Sequence, residues 1–189
     1  MHFVIKPLTL FTILIYSITN SAFSQTLNTS WKGDIENSLQ EFLACPDKKE
    51  GVCAGYTGKS LNMIYKVDDF YSAKLNRYMS VAEIAKSVKG NSKWTNLGKP
   101  YEQKTLDHAQ ELANSKRAVI AVYENSQGVG HVVIITPGKL LPSGSWGLNV
   151  PNAVSFFPME PEKSFSQKSL SFAFTKTMMK DVTLYSRTY

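Results

Sequence analysis

Apolar residues recur at helical spacing through the first half of the chain, then give way to short unbroken apolar runs. From Trp31 to Leu43, Ile35, Leu39, Phe42 and Leu43 fall on one helical face, with acidic residues near the start. Pro46 to Gly51 is polar and ends that helix. A second helix is predicted from Cys53 to about Val67, with Leu61, Ile64 and Tyr65 turned inward; its start is poor in bulk, because Ala54, Gly55 and Gly58 are small. Ser80-Val81-Ala82-Glu83 is a capping box and opens a short helix through Val88. Trp94 to Pro100 reads as loop, and Thr105 to Ser115 as a helix with Leu106, Ala109, Leu112 and Ala113 on one face.

The pattern then changes period. Ala118 to Tyr123 and His131 to Ile135 are apolar runs of strand length, separated by the turn residues Asn125-Ser126-Gln127-Gly128, so they predict a hairpin. Thr136-Pro137-Gly138 closes the second run. Trp146 to Phe157 is expected to return as a further strand, and the alternation in Val182-Thr183-Leu184-Tyr185 predicts a last one. Helices first and an antiparallel sheet second make the fold class α+β.

The first two dozen residues belong to a different pattern. Met1 to Lys6 is short and basic, Pro7 to Ile18 is apolar, and Ala22-Phe23-Ser24 supplies small residues before Gln25. This predicts a secretory signal peptide over residues 1–24 and a single domain over 25–189, in a periplasmic or extracellular protein. The apolar run is too short for a comfortable membrane span, and no second run approaches about 18 residues. The remaining ~165 residues suffice for one core. The net charge of +6 is scattered, with Lys48-Lys49 and Lys116-Arg117 as the paired bases. No arginine stripe interleaves with aromatics, so nucleic acid is a poor partner, whereas an anionic envelope surface is compatible.

Two segments carry candidate chemistry. Gly51-Val52-Cys53-Ala54-Gly55-Tyr56-Thr57 puts a cysteine at a helix start, where unpaired amide groups favour the thiolate and small neighbours leave room for a carbonyl. Gly130-His131-Val132-Val133-Ile134-Ile135 puts a histidine at the mouth of a core strand, a rigid mount for an acid–base group. Cys53 is the candidate nucleophile and His131 the candidate base. A third polar group usually orients such an imidazole. If Thr136 and Ser145 flank an antiparallel loop, the residue opposite His131 falls near Val150, which brings Asn149 and Asn152 into reach as alternatives. Tyr56, Trp94 and Trp146 are candidate substrate-binding aromatics, against the general tendency of aromatics to be core. A competing reading concerns the two cysteines. In an oxidising compartment, Cys45 and Cys53 suit a disulfide, which would consume the nucleophile.

Here the chain resembles a known family. Val52-Cys53-Ala54-Gly55-Tyr56 is similar to the nucleophile motif of NlpC-type cell-wall peptidases, and Gly130-His131-Val132-Val133-Ile134 to the Gly-His-Val strand of that superfamily, which includes the CHAP amidases. Val52 stands where the family usually has Asp, and Ala54 where it usually has Ser. The resemblance covers roughly Cys53 to Phe157. It implies a papain-like fold, N-terminal helices packed on an antiparallel sheet, and hydrolysis of amide bonds in peptidoglycan stem peptides. It carries the nucleophile role to Cys53 and the base role to His131, and more loosely an orienting role to Asn149 or Asn152. No cofactor is called for. The alternative is a secreted, non-catalytic envelope-binding or inhibitory protein with a Cys45–Cys53 disulfide.

Other motifs fail. Thr57-Gly58-Lys59-Ser60 resembles the end of a P-loop, but Cys53 stands where the first glycine is required and no strand precedes it. His2 and His108 have no zinc-ligand spacing. Asp68-Asp69 reads as a solvated helix end.

Overall fold

The structure is a computed structural model that describes residues 26–127 and 130–189. The signal peptide expected over residues 1–24, and part of the turn expected before His131, lie outside the described residues.

Helix α1 (Trp31–Ala44) forms because Trp31, Ile35, Leu39 and Phe42 share one buried face; it stops where Cys45 turns extended, ahead of Pro46. A single 3-10 turn over Cys53–Gly55 leads directly into α2 (Tyr56–Tyr65), which buries Leu61, Ile64 and Tyr65 and ends at Lys66 in the left-handed region. Small strands β1 (Tyr71–Ser72) and β2 (Arg77–Tyr78) pair as a hairpin. The capping box predicted at Ser80 is present and opens α3 (Val81–Val88): Ser80 Oγ accepts from the Glu83 amide, and the Glu83 carboxylate accepts from the Ser80 amide at 2.7 Å. Arg77 donates twice to the same carboxylate, at 2.8 and 2.9 Å. These contacts, with that of Arg77 the largest, hold the Glu83 carboxyl down at about 2.

Strand β3 (Trp94–Gly98) corrects the expected loop. Only Trp94 is buried in it, so its sequence lacks the strand pattern; pairing with a distant partner makes it a strand. Helix α4 (Gln103–Asn114) follows, then the hairpin of β4 (Val119–Glu124) and β5 (Gly130–Ile135). The single strand expected from Trp146 to Phe157 is replaced by two. Strand β7 (Leu148–Val150) folds back on β6 (Leu141–Ser143), and β8 (Asn152–Ser155) starts afresh beyond Pro151. Proline supplies no amide hydrogen to a ladder, so the chain changes sheets there. Strands β9 (Phe165–Ser169) and β10 (Val182–Arg187) complete the set.

The main sheet has six antiparallel strands in the order β3-β10-β4-β5-β8-β9. It is buried on both faces. Ile120, Val122, Val132, Ile134, Val154 and Phe156 face α1, α2 and α3. Val119, Ala121, Val133, Ile135 and Ala153 face α4 and the segments around Phe165 and Phe174. Double-sided burial explains why β4 and β5 read as continuous apolar runs rather than alternating ones. The class is therefore α+β, as expected. Among the described residues, no helix is long and apolar enough to cross a membrane.

Asp69 corrects the expectation of a solvated acidic pair. Its side chain is only 2% exposed; it accepts from Arg187 at 2.7 and 3.0 Å and from the Trp94 indole at 3.1 Å. Desolvation opposes ionisation there, but the charge and hydrogen bonds of Arg187, with help from Lys93, outweigh it and lower the carboxyl's pKa. The pair ties β10 to the segment after α2.

Candidate functional site

His131 lines a cleft that Ala54, the residue after Cys53, also lines; Cys53 itself is not on the lining. Cys53 stands at the first residue of the helical segment that becomes α2. Small residues crowd this turn for a steric reason: a Cβ on Gly55 would lie 2.7 Å from the Tyr78 carbonyl oxygen and 2.9 Å from the Tyr78 Cβ. The room expected for a carbonyl beside the cysteine is thus taken, at Gly55 and Gly58, by Tyr78 of β2. Cys53 is joined to Cys45 by a disulfide, so neither sulfur is a thiol in this form. Such bonds persist in oxidising compartments.

His131 sits near the start of β5. Alternation along the strand places it on the α4 face with Val133 and Ile135, whereas α2 packs on the opposite face. The imidazole is buried, stacked on Phe157 with ring centres 4.1 Å apart, and edge-on to Phe174. Its Nε2 lies 2.7 Å from Ser155 Oγ, and Ser155 itself is fully buried. Burial pushes the imidazole down to about 4 from its usual 6.5. At neutral pH the ring is therefore uncharged. If Nε2 carries the proton and donates it to Ser155, the lone pair is on Nδ1, ready to accept a proton.

A cleft of about 420 Å³ wraps around this end of β5. His131, Tyr123, Phe157, Ala173 and Met178 contribute from the α4 side. Ala54, directly after Cys53, closes it from the other side with Val81 and Ala82 at the start of α3. Lys49 and Glu160 are charged residues on its lining. An apolar hollow with a few polar groups and a neutral imidazole can seat a small-residue peptide segment and move one proton.

The other residues anticipated here are elsewhere. Asn149 lies in β7, where its backbone exchanges hydrogen bonds with the Gln103 side chain at 2.8 and 3.0 Å. The Asn152 side chain donates to the Lys139 carbonyl, and its amide donates to Gln110. Neither orients His131. The β5–β8 register pairs Ile134 with Val154 and Ile135 with Ala153, and its continuation carries His131 opposite Phe157 rather than Val150. The cause is the hairpin of β6 and β7, which uses up the residues through Val150 before β8 begins. Trp94 and Trp146 do not line the cleft. Trp94 is stacked on Phe70 and bonded to Asp69, while the Trp146 indole donates to the Phe174 carbonyl at 2.9 Å. Tyr56 packs edge-on to Phe42 beside Glu41 and Lys59, also outside the cleft lining.

Ser155 escaped the sequence reading. Its one signal was a hydroxyl inside the apolar stretch Ala153-Val154-Ser155-Phe156-Phe157, where a polar atom needs a buried partner. Compared with models of known families and with curated proteins, the sequence matches none.

Proposed function

We propose that this chain, in its thiol form, is an exported cysteine amidase or endopeptidase that cleaves amide bonds in peptidoglycan stem peptides. The observation that carries the reading is the His131 site. A neutral imidazole is held by Ser155 at 2.7 Å and borders a cleft whose far wall is the residue after Cys53. A helical segment that begins at the cysteine and an antiparallel sheet that bears the histidine are elements a papain-like fold would use, with α2 packed on the sheet face opposite His131.

In this mechanism the neutral His131 takes the proton of the Cys53 thiol as the sulfur attacks the scissile carbonyl, and the imidazolium so formed gives that proton to the leaving amine. The acyl-enzyme is then hydrolysed by a water from which His131 removes a proton. At the start of the helical segment the Ala54 and Gly55 amides donate to the Glu50 and Val52 carbonyls, which leaves the Cys53 amide as the candidate donor to the developing oxyanion. Ser155 is a positioning residue that fixes the orientation of the ring. It takes the place first assigned to Asn149 or Asn152.

The test is digestion of purified diaminopimelate-type sacculi under reducing conditions, with products read by mass spectrometry. Wild type is run beside Cys53→Ala and His131→Ala. Stem-peptide fragments from wild type alone support the reading; sacculi left intact by the folded, reduced wild type refute it.

One observation favours a second reading. Both sulfurs are consumed by the Cys45–Cys53 bond, which suits a non-catalytic envelope-binding or inhibitory protein that uses the apolar cleft for binding. Co-sedimentation of the oxidised protein with sacculi that it leaves undigested in either redox state would establish it.

A further inference from the structure

The disulfide is in an unusual place for a structural staple. It closes a surface loop, not the core: Pro46, Asp47, Lys49, Glu50, Gly51 and Val52 are exposed, and Lys48 is half-buried. Helices α1 and α2 meet through other contacts, among them Phe42 against Tyr56 at 5.5 Å and the buried Ser38 and Ser60 hydroxyls. Cys45 and Cys53 are both half-buried and so within reach of a small or protein dithiol. The loop between them also borders the cleft. Lys49, inside the loop, lines it, and so does Ala54, just outside.

We propose that Cys45 and Cys53 form a reversible latch on the His131 cleft, with Cys45 as the resolving cysteine that holds the Cys53 sulfur inert until a dithiol reductant releases it. This rests on the reading of Cys53 as a nucleophile. A thiolate of the reductant attacks Cys45 Sγ, forms a mixed disulfide there and expels Cys53 as thiolate. The second thiol of the reductant attacks the mixed disulfide, releases Cys45 and leaves as the oxidised disulfide. Two electrons and two protons pass from the dithiol to the protein. The order follows from leaving-group chemistry: the thiol more stabilised as thiolate leaves faster, and Cys53 is the one at the start of a helix. Release also frees the loop that carries Lys49 at the rim of the cleft. The latch therefore couples chemistry to access in one exchange.

The test compares oxidised wild type, wild type reduced with dithiothreitol, and Cys45→Ser. Sacculus digestion, circular dichroism and the alkylation of each cysteine by iodoacetamide are read together. Oxidised wild type is expected to be inert. Reduced wild type is expected to digest sacculi with its fold retained, and Cys45→Ser to digest them equally with or without reductant. Reoxidation with cyclic oxidised dithiothreitol should silence wild type and leave Cys45→Ser active. The latch is overturned if oxidised wild type is as active as reduced, if reduction unfolds the chain, or if Cys45→Ser is inactive while reduced wild type is active. Alkylation separates the latch from the hydrolase reading. If no form digests sacculi, the hydrolase reading falls. The latch then survives only if Cys53 in the folded, reduced chain alkylates about tenfold faster than Cys45; equal rates overturn it as well.

Discussion

A buried histidine held neutral makes stability depend on pH in a window of its own, and His131 fixes that window. Its folded-state pKa is about 4, against about 6.5 in an unfolded chain. The unfolded state therefore binds the proton first as pH falls, and the fold loses stability from about pH 6.5 down to about 4. Two and a half units correspond to about 3 kcal/mol in all, of which about 2 kcal/mol falls between pH 7 and 4.5. The steepest slope is about 1.4 kcal/mol per pH unit. The assay is urea unfolding of the oxidised protein at half-unit steps from pH 7.5 to 4, beside His131→Gln, which keeps a side-chain donor for Ser155 but does not titrate. Wild type should lose about 3 kcal/mol more than the variant across that range. Parallel profiles for the two proteins would show that His131 is not held neutral, and the argument for a proton-accepting imidazole would go with it.

Four further outcomes are expected. Ser155→Ala leaves the buried His131 Nε2 without its partner; it should cost about 1–3 kcal/mol by urea unfolding and slow sacculus digestion by the reduced protein more than it weakens sacculus binding. Gly55→Ala drives a methyl into the Tyr78 backbone, so it should destabilise by about 1–3 kcal/mol, whereas Gly33→Ala, with open space around it, should not. Reduction of the Cys45–Cys53 bond, whose sulfurs are 8 residues apart in sequence, should lower stability by about 2.5 kcal/mol and Tm by about 5–10 °C without loss of the native circular dichroism spectrum. The Glu83 carboxyl, held at about 2 chiefly by Arg77, contributes stability that is present above pH 4.5 and lost as pH falls toward 2. Glu83→Gln should flatten that acid limb and leave the His131 window untouched.

What was legible in the sequence is what local physics decides. Helix α1 announced itself through Ile35, Leu39 and Phe42, and α3 through the Ser80–Glu83 capping box, because both signals act within one or two helical turns. The β4–β5 hairpin was legible because double-sided burial leaves an unbroken apolar run on each strand. Strand β3 was hidden: Thr95 and Asn96 are exposed, and only β10, about ninety residues later, gives this segment its ladder. The partner of His131 was missed for a related reason. Whether the chain crosses Pro151 as one strand or two changes the register by several residues, and no local signal chooses. Asp69 looked solvated because its counter-ion, Arg187, is far away in sequence. The cysteines suited a nucleophile, with a bond as the competing reading, and the structure has the bond. The sequence carries the geometry of the pair but not the redox state of its surroundings.

The position of β10 has a consequence for how the chain reaches its native form. This strand comes last among the strands of the main sheet, yet it lies between β3 and β4 rather than at an edge. Until it arrives, β3 has no neighbour in the sheet, one side of β4 is open, and Asp69 has no guanidinium to offset its burial. A chain emerging from a ribosome or a narrow export channel cannot close this sheet until residues 182–187 are through. Closure of the sheet is therefore paced by a strand that pairs across long stretches of sequence on both sides, a topology that slows folding.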